Sequence, residues 1–204
     1  ATQLIASTML PPILAQIMEA NPGLHIELVG TDEIPDLLSR NADIGFWIDQ
    51  PKQLDIVARK IGEVDVVAAA SRGYLEKYGE PQQFVDLVHH RLIGHDRIDT
   101  MVKWFAQFDP AFDRERFCFR TDDKGCLLAA VRSGMGIGFM AQYLLDAHQA
   151  ELCQIMPALP LPGFALWLGT HRDIINNLLI KTVYEALIAR IAPMLKPALP
   201  TGPG

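Results

Sequence analysis

The sequence predicts an α/β fold built as two lobes, and three features point to it. Short apolar runs with strand character alternate with amphipathic helical segments through both halves, the rhythm of α/β folds with mostly parallel sheets. Residues 42–48, "ADIGFWI", form a nearly continuous apolar run, as expected of a parallel strand covered on both faces. Strand-rich stretches at 54–71 and around "LWLGTH" stand where the chain would cross from one lobe to the other and back.

Taken in order, residues 8–20 place Met9, Ile13, Leu14, Ile17 and Met18 at helical spacing. Pro11 and Pro12 fall near the start of that helix, where a missing N–H costs least. "NPG" ends it, and "LHIELVG" then alternates apolar and polar residues, predicting a half-buried strand over 24–29. Asp32 is placed to cap a short helix through Leu38. "LDIVARKIGEVDVVAAAS" predicts two strands with a break near Gly62. Helices follow at 73–78 and 82–88, and a strand at 91–94.

The second half repeats the pattern: a helix at 101–108, a strand at 117–121, a helix at 124–133, a strand at 137–140, a helix at 142–148 and a strand at 164–171. Asp173 is expected to cap a long last helix whose stripe of Leu178, Val183, Leu187 and Ile191 runs toward Met194. With the two strand-rich stretches as crossovers, residues 1–68 plus 171–197 form a discontinuous first lobe. Residues 69–170 form an inserted second lobe, and the Pro- and Gly-rich tail 198–204 is expected to be disordered. Ligands favour the cleft between such lobes, outside the carboxyl ends of strands.

Composition narrows the function. The 204 residues suffice to bury a sizeable core, and half of them are hydrophobic. The net charge of −6 repels phosphate backbones, so the chain alone is not expected to grip nucleic acid. There is no run of roughly 18 apolar residues to span a membrane, and no signal peptide is visible, though a mature periplasmic protein would lack one too. Cys118, Cys126 and Cys153 are odd in number and off metal-ligand spacing, which favours free thiols in a reducing cytoplasm.

Catalytic motifs are missing: no G-x-S-x-G, Walker A or H-E-x-x-H occurs, so an enzyme is not expected, nor is a cofactor. "GMGIGF" follows a helix and leads into a strand, the reverse of a dinucleotide-binding loop, and reads as a tight turn. His89 and His90 on extended chain point to opposite faces, so one metal cannot easily hold both, and a solvated loop is expected there. Asp122 and Asp123 directly precede a helical segment and are expected to cap it. The same helix start would offer free N–H groups to an anion.

Several segments, in order, resemble the effector-binding domain of LysR-type transcription regulators. These are "LPPILAQIMEANPGLHIELV", "DLLSRNADIGFWI", "ARKIGEVDVVAAASRGYLEKYGEPQQFVDLVHHRLIGH" and "DDKGCLLAAVRSGMGIGFMAQYLL", and the likeness runs over roughly residues 5–195. It implies a two-lobed, periplasmic-binding-protein-like (type 2) fold with two crossover segments, and a small-molecule effector sensed between the lobes. Full-length members also carry a winged helix-turn-helix and a linker helix, both absent here. The chain is therefore expected to be a fragment that reaches DNA only through a missing N-terminal domain. Met140 and Ala141 stand where the family has Leu-Pro.

The family pattern lines the ligand site with Thr2, Gln3 and Leu4 at the first helix, Thr31 and Asp32 after the second strand, and Phe46 and Trp47 at a strand end. The second lobe adds Gly94, His95, Thr121, Asp122, Lys124 and Phe139. Hydroxyls and N–H groups at helix starts suit a carboxylate or similar small polar molecule, with the aromatics packing on its apolar part. A symmetric homodimer is expected through the helices at 8–20 and 124–133, whose apolar positions exceed what one lobe face needs. A solute-binding protein of a transport system shares this architecture and is the alternative.

Overall fold

The computed structural model describes residues 1–31, 42–110 and 112–197. The chain divides into two compact units, Ala1–Val64 with Phe164–Gly204, and Asp65–Gly163. It passes between them at Val64/Asp65 and again at Gly163/Phe164, against 68/69 and 170/171 in the sequence reading. The division follows strand pairing. The strand before Asp65 and the whole of 164–171 pair within the first unit, and the strand after Asp65 pairs within the second.

In the first unit a π-helical turn, Ile5–Met9, runs directly into helix α1, Leu10–Ala20. Pro11 and Pro12 fall in the first turn of α1, as expected, with the π-helical turn continuing the run upstream. A proline has no N–H for the carbonyl four residues back and crowds it. The wider i→i+5 turn upstream, closed by the Leu10 N–H donating to the Ile5 carbonyl, accommodates the pair. The Thr8 hydroxyl donates to the Leu4 carbonyl at 2.6 Å, supplying one donor on that turn.

The sheet of this unit is β1 (Ile44–Trp47), β8 (Phe164–His171) and β2 (Ile56–Val64), in the order β1-β8-β2 and antiparallel throughout. The expected parallel strand at 42–48 is thus antiparallel. Continuous burial of Gly45, Phe46 and Trp47 reports coverage of both faces, and coverage does not fix direction. Gly62 lies inside β2 at a bulge, not at a break. A Cβ there would come within 2.6 Å of Leu195, so glycine admits the C-terminal segment. Helix α6, Leu178–Ile191, packs near α1, and its Tyr184 hydroxyl donates to the Leu168 carbonyl at 3.0 Å. Asn177 caps α6, accepting from the N–H groups of Leu179 and Ile180, while Asp173 instead lies beside His171. No strand forms over 24–29. Ala1 meets the end of this segment, through its ammonium to the Val29 carbonyl and its carbonyl to the Thr31 N–H. The short helix expected from Asp32 to Leu38 and the tail 198–204 lie outside the described residues.

The second unit holds a five-stranded sheet, β5-β4-β6-β3-β7. Its strands are β3 (Val66–Ser71), β4 (Leu92–Gly94), β5 (Phe117–Arg120), β6 (Ile137–Ala141) and β7 (Leu152–Ile155). β4 pairs in parallel with β5 and β6, while β3 pairs antiparallel with β6 and β7, so the sheet is mixed rather than mostly parallel. Helices α2 (Arg72–Tyr78), α3 (Thr100–Phe105), α4 (Lys124–Arg132) and α5 (Gln142–Ala147) connect them, with a 3₁₀ turn at Phe84–His89. The core gathers Phe105, Phe112, Phe117 and Phe139 with Leu92, Ile137 and Ile155. Phe105 is fully buried, and that burial is worth about 2–3 kcal/mol. The glycine-rich turn joins α4 to β6 as expected. Gly134 has φ +78°, and a Cβ on Gly136 would meet the Arg91 carbonyl at 2.4 Å. His90 is not in a solvated loop: its Nδ1 lies 3.3 Å from the Tyr74 hydroxyl, half-buried beside that ring.

Candidate functional site

β4 and β5 run in parallel and end side by side, and α4 begins just beyond β5. This is a carboxyl-end position of the kind that binds ligands in α/β sheets. The Thr121 N–H donates to the Gly94 carbonyl at 3.0 Å and extends the pairing past the strand ends. Five of the sequence-predicted site residues, Gly94, His95, Thr121, Asp122 and Lys124, meet here.

Their roles differ from expectation. Asp122 does not cap α4. Its Oδ1 accepts from the N–H groups of Asp96 (3.1 Å) and Arg97 (3.0 Å), and its Oδ2 accepts from Arg97 Nε at 2.8 Å. The Arg97 guanidinium and these amides hold the Asp122 carboxyl down at about 2. Asp123 is the cap, accepting from the Cys126 N–H at 2.8 Å. The Thr121 Oγ1 accepts from the Asp123 N–H at 3.1 Å, so its hydroxyl braces the turn into the helix. Two carboxylates thus stand at the helix start where an anion was expected.

Gly94 is small for the core's sake, since a Cβ would come within 2.4 Å of the Phe117 ring. Phe139 is also a core residue, edge-on to Phe105 at 5.0 Å and buried in the middle of β6, whose five residues are all buried. Lining by Phe139 is therefore corrected to packing.

His95 is half-buried. Its ring is linked to the Thr121 backbone, and its Nδ1 is buried without a partner. The ring nitrogen that bonds to Thr121 is accordingly Nε2. Desolvation lowers its proton affinity, Thr121 and Asp122 oppose the shift, and the Lys124 charge reinforces it. The result is a neutral imidazole with its Nε2 proton on the Thr121 carbonyl.

In the first unit, Trp47 folds its ring back over Gly45, where a Cβ would approach within 2.4 Å, and over Gly169. The indole is 7% exposed and its Nε1 is buried without a partner. Phe46, on the opposite face of β1, is buried against β8. At the start of the first helical run, the Thr2 carbonyl accepts from the Ala6 N–H, Leu4 is half-buried and Gln3 is exposed. Thr31 is tied to Ala1 through its N–H, at 2.8 Å. Asp32 lies outside the described residues.

Sequence reasoning missed one feature of this unit. A depression of about 190 Å³ lies along α6, lined by Thr170, Ile175, Asn176, Ile180, Lys181, Tyr184 and Glu185. The Thr170 and Tyr184 hydroxyls are already bonded to the Asp43 and Leu168 carbonyls. No cluster of three or more metal-ligating side chains occurs among the described residues, and no helix among them is long and apolar enough to cross a membrane.

A family model described as the LysR substrate binding domain matches residues 1–192. An uncharacterized HTH-type transcriptional regulator from Haemophilus influenzae is 31% identical over 150 residues, 72% of this chain and 52% of that protein. The HTH-type transcriptional activator AaeR from Escherichia coli is 25% identical over 179 residues, 83% of this chain and 56% of that protein. The chain thus spans about half the length of these curated relatives. Among solved structures, the regulatory domain of CrgA from Neisseria meningitidis superposes with a TM-score of 0.79 at 22% identity, covering 92% of this chain and 94% of that one. That likeness shows the fold, an α/β fold of the type 2 periplasmic-binding-protein-like class.

Proposed function

The chain belongs to the LysR substrate-binding domain family, and from that premise we propose that it senses a small polar effector for a DNA-binding transcription regulator. One observation supports a ligand most directly. The buried side-chain nitrogens without partners among the described residues belong to Trp47 and His95, and the sequence had singled out both. A buried polar group without a partner costs about 1–3 kcal/mol, and a bound molecule can supply what the fold does not.

In the second unit Thr121, Asp122, Lys124 and His95 are the proposed effector contacts. In the first unit the family pattern proposes Thr2, Gln3, Leu4, Thr31, Asp32, Phe46 and Trp47. Homodimerisation, a cytoplasmic location and DNA recognition by a separate helix-turn-helix domain complete the reading, resting on the family resemblance. A carboxylate effector fits the Lys124 charge but must face Asp122 and Asp123. The relatives named above are transcription regulators, so the solute-transport alternative has no support from them.

A thermal-shift screen of this chain against a small-metabolite library, read in parallel by tryptophan fluorescence, tests the proposal. A saturable rise in melting temperature with a change in emission is the expected result. A library that leaves both unmoved at millimolar concentration counts against it.

A further inference from the structure

We infer that the His95 Nδ1 is a built-in acceptor that selects effectors carrying a hydrogen-bond donor, a hydroxyl or an ammonium, at the strand ends of the second unit. The inference deepens the effector reading above and rests on it.

The case is one of donors and acceptors. Five main-chain donors around His95 are committed elsewhere. The Asp96 and Arg97 N–H groups serve Asp122, the Asp123 N–H serves Thr121 Oγ1, the Cys126 N–H serves Asp123, and the Thr121 N–H serves the Gly94 carbonyl. The ring spends its one proton on the Thr121 backbone through Nε2, which leaves a lone pair on Nδ1. That nitrogen is buried without a partner. The charges nearby are mixed: Asp122 and Asp123 place two carboxylates within the same turn, and the Lys124 charge also acts on the ring. The selection therefore rests on the lone pair. A ligand group that only accepts would meet it unfavourably, and a group that donates would satisfy it.

The test pairs probes that differ in the donor: phenol with anisole, catechol with 1,2-dimethoxybenzene, and benzylamine with benzyltrimethylammonium. Long-range proton–nitrogen NMR of the imidazole follows the His95 Nδ1 resonance directly, with thermal shift run alongside. We expect the donor member of at least one pair to move the Nδ1 resonance saturably and to bind about tenfold more tightly than its methylated partner, the value of one hydrogen bond.

His95→Phe keeps a flat ring of similar size and removes both ring nitrogens, the Nδ1 acceptor among them. The donor preference should fall to about onefold in this variant while its melting temperature stays near that of the parent. Equal binding within every pair, or an Nδ1 resonance that no donor probe moves at 10 mM (about ten-thousandfold above a micromolar site), overturns the inference. If library compounds still raise the melting temperature then, effector binding stands and only the role of His95 falls. If none does, the effector reading falls as well.

Discussion

Asp122 and Asp123 are neighbours with separate tasks, the first holding the turn after β4 and the second holding the start of α4. Asp123→Ala should cost about 1 kcal/mol by losing a helix cap, measured by urea denaturation. Asp122→Asn should lower the melting temperature through its broken Arg97 contacts. The Asp122 contribution has a defined pH window. Its carboxyl is lowered from 3.8 to about 2, so its stabilisation is complete above 3.8 and is lost as pH falls toward 2. His95 behaves in the opposite region. Its proton affinity is lowered from 6.5, so the unfolded chain binds the proton more readily and stability falls as pH drops below 6.5. His95→Gln should flatten the melting profile between pH 7 and 5, with the residual slope coming from His90, which burial also lowers. His95, Thr121 and Asp122 were singled out through the family pattern, and residue type alone could not have done so, because Thr121 and Asp122 also hold turns. Phe139 was misplaced because an aromatic in an apolar strand looks the same facing a ligand or a core. Phe139→Ala should cost about 3–5 kcal/mol in stability.

Elements with strong periodicity or clear punctuation, such as β8 at 164–171 and α4, stood where the sequence put them. The exceptions share a cause, namely that main-chain pairing depends on partners remote in sequence. Residues 24–29 alternate like a strand but form none, and Val29 bonds to the Ala1 ammonium. "LCQI" at β7 is short and mixed in polarity, yet it pairs along β3. Asp173 looked like the cap of α6 because nothing in the sequence distinguishes it from Asn177, which does the capping. Asn177→Ala should therefore destabilise by about 1 kcal/mol, and Asp173→Ala by only a few tenths, in paired denaturation curves. At Gly94 the structure makes a sharper demand. The methyl of Gly94→Ala would press on the Phe117 ring at 2.4 Å, which should cost about 1–3 kcal/mol and disturb the β4 end that carries His95.

For the whole molecule, the two units and the two chain passages between them were legible from the alternation of strands and helices, though each boundary falls several residues earlier. The expected surplus of apolar residues on α4 is not found, because Leu127, Leu128, Ala130 and Val131 are all buried in their own unit. What α4 exposes is Gly125, Cys126, Ala129 and Arg132, so a dimer there would not rest on apolar bulk. Light scattering at tens of micromolar should give a dimer mass, and a monomer would remove that part of the reading. Binding of an effector at the strand ends of the second unit is the claim on which the rest depends. Amide chemical-shift mapping of a thermal-shift hit tests it most directly. The expected result is a saturable set of shifts centred on residues 94–97 and 121–125. Shifts confined to the 172–177 turn, Lys181 and Tyr184, beside the depression on α6, would contradict it.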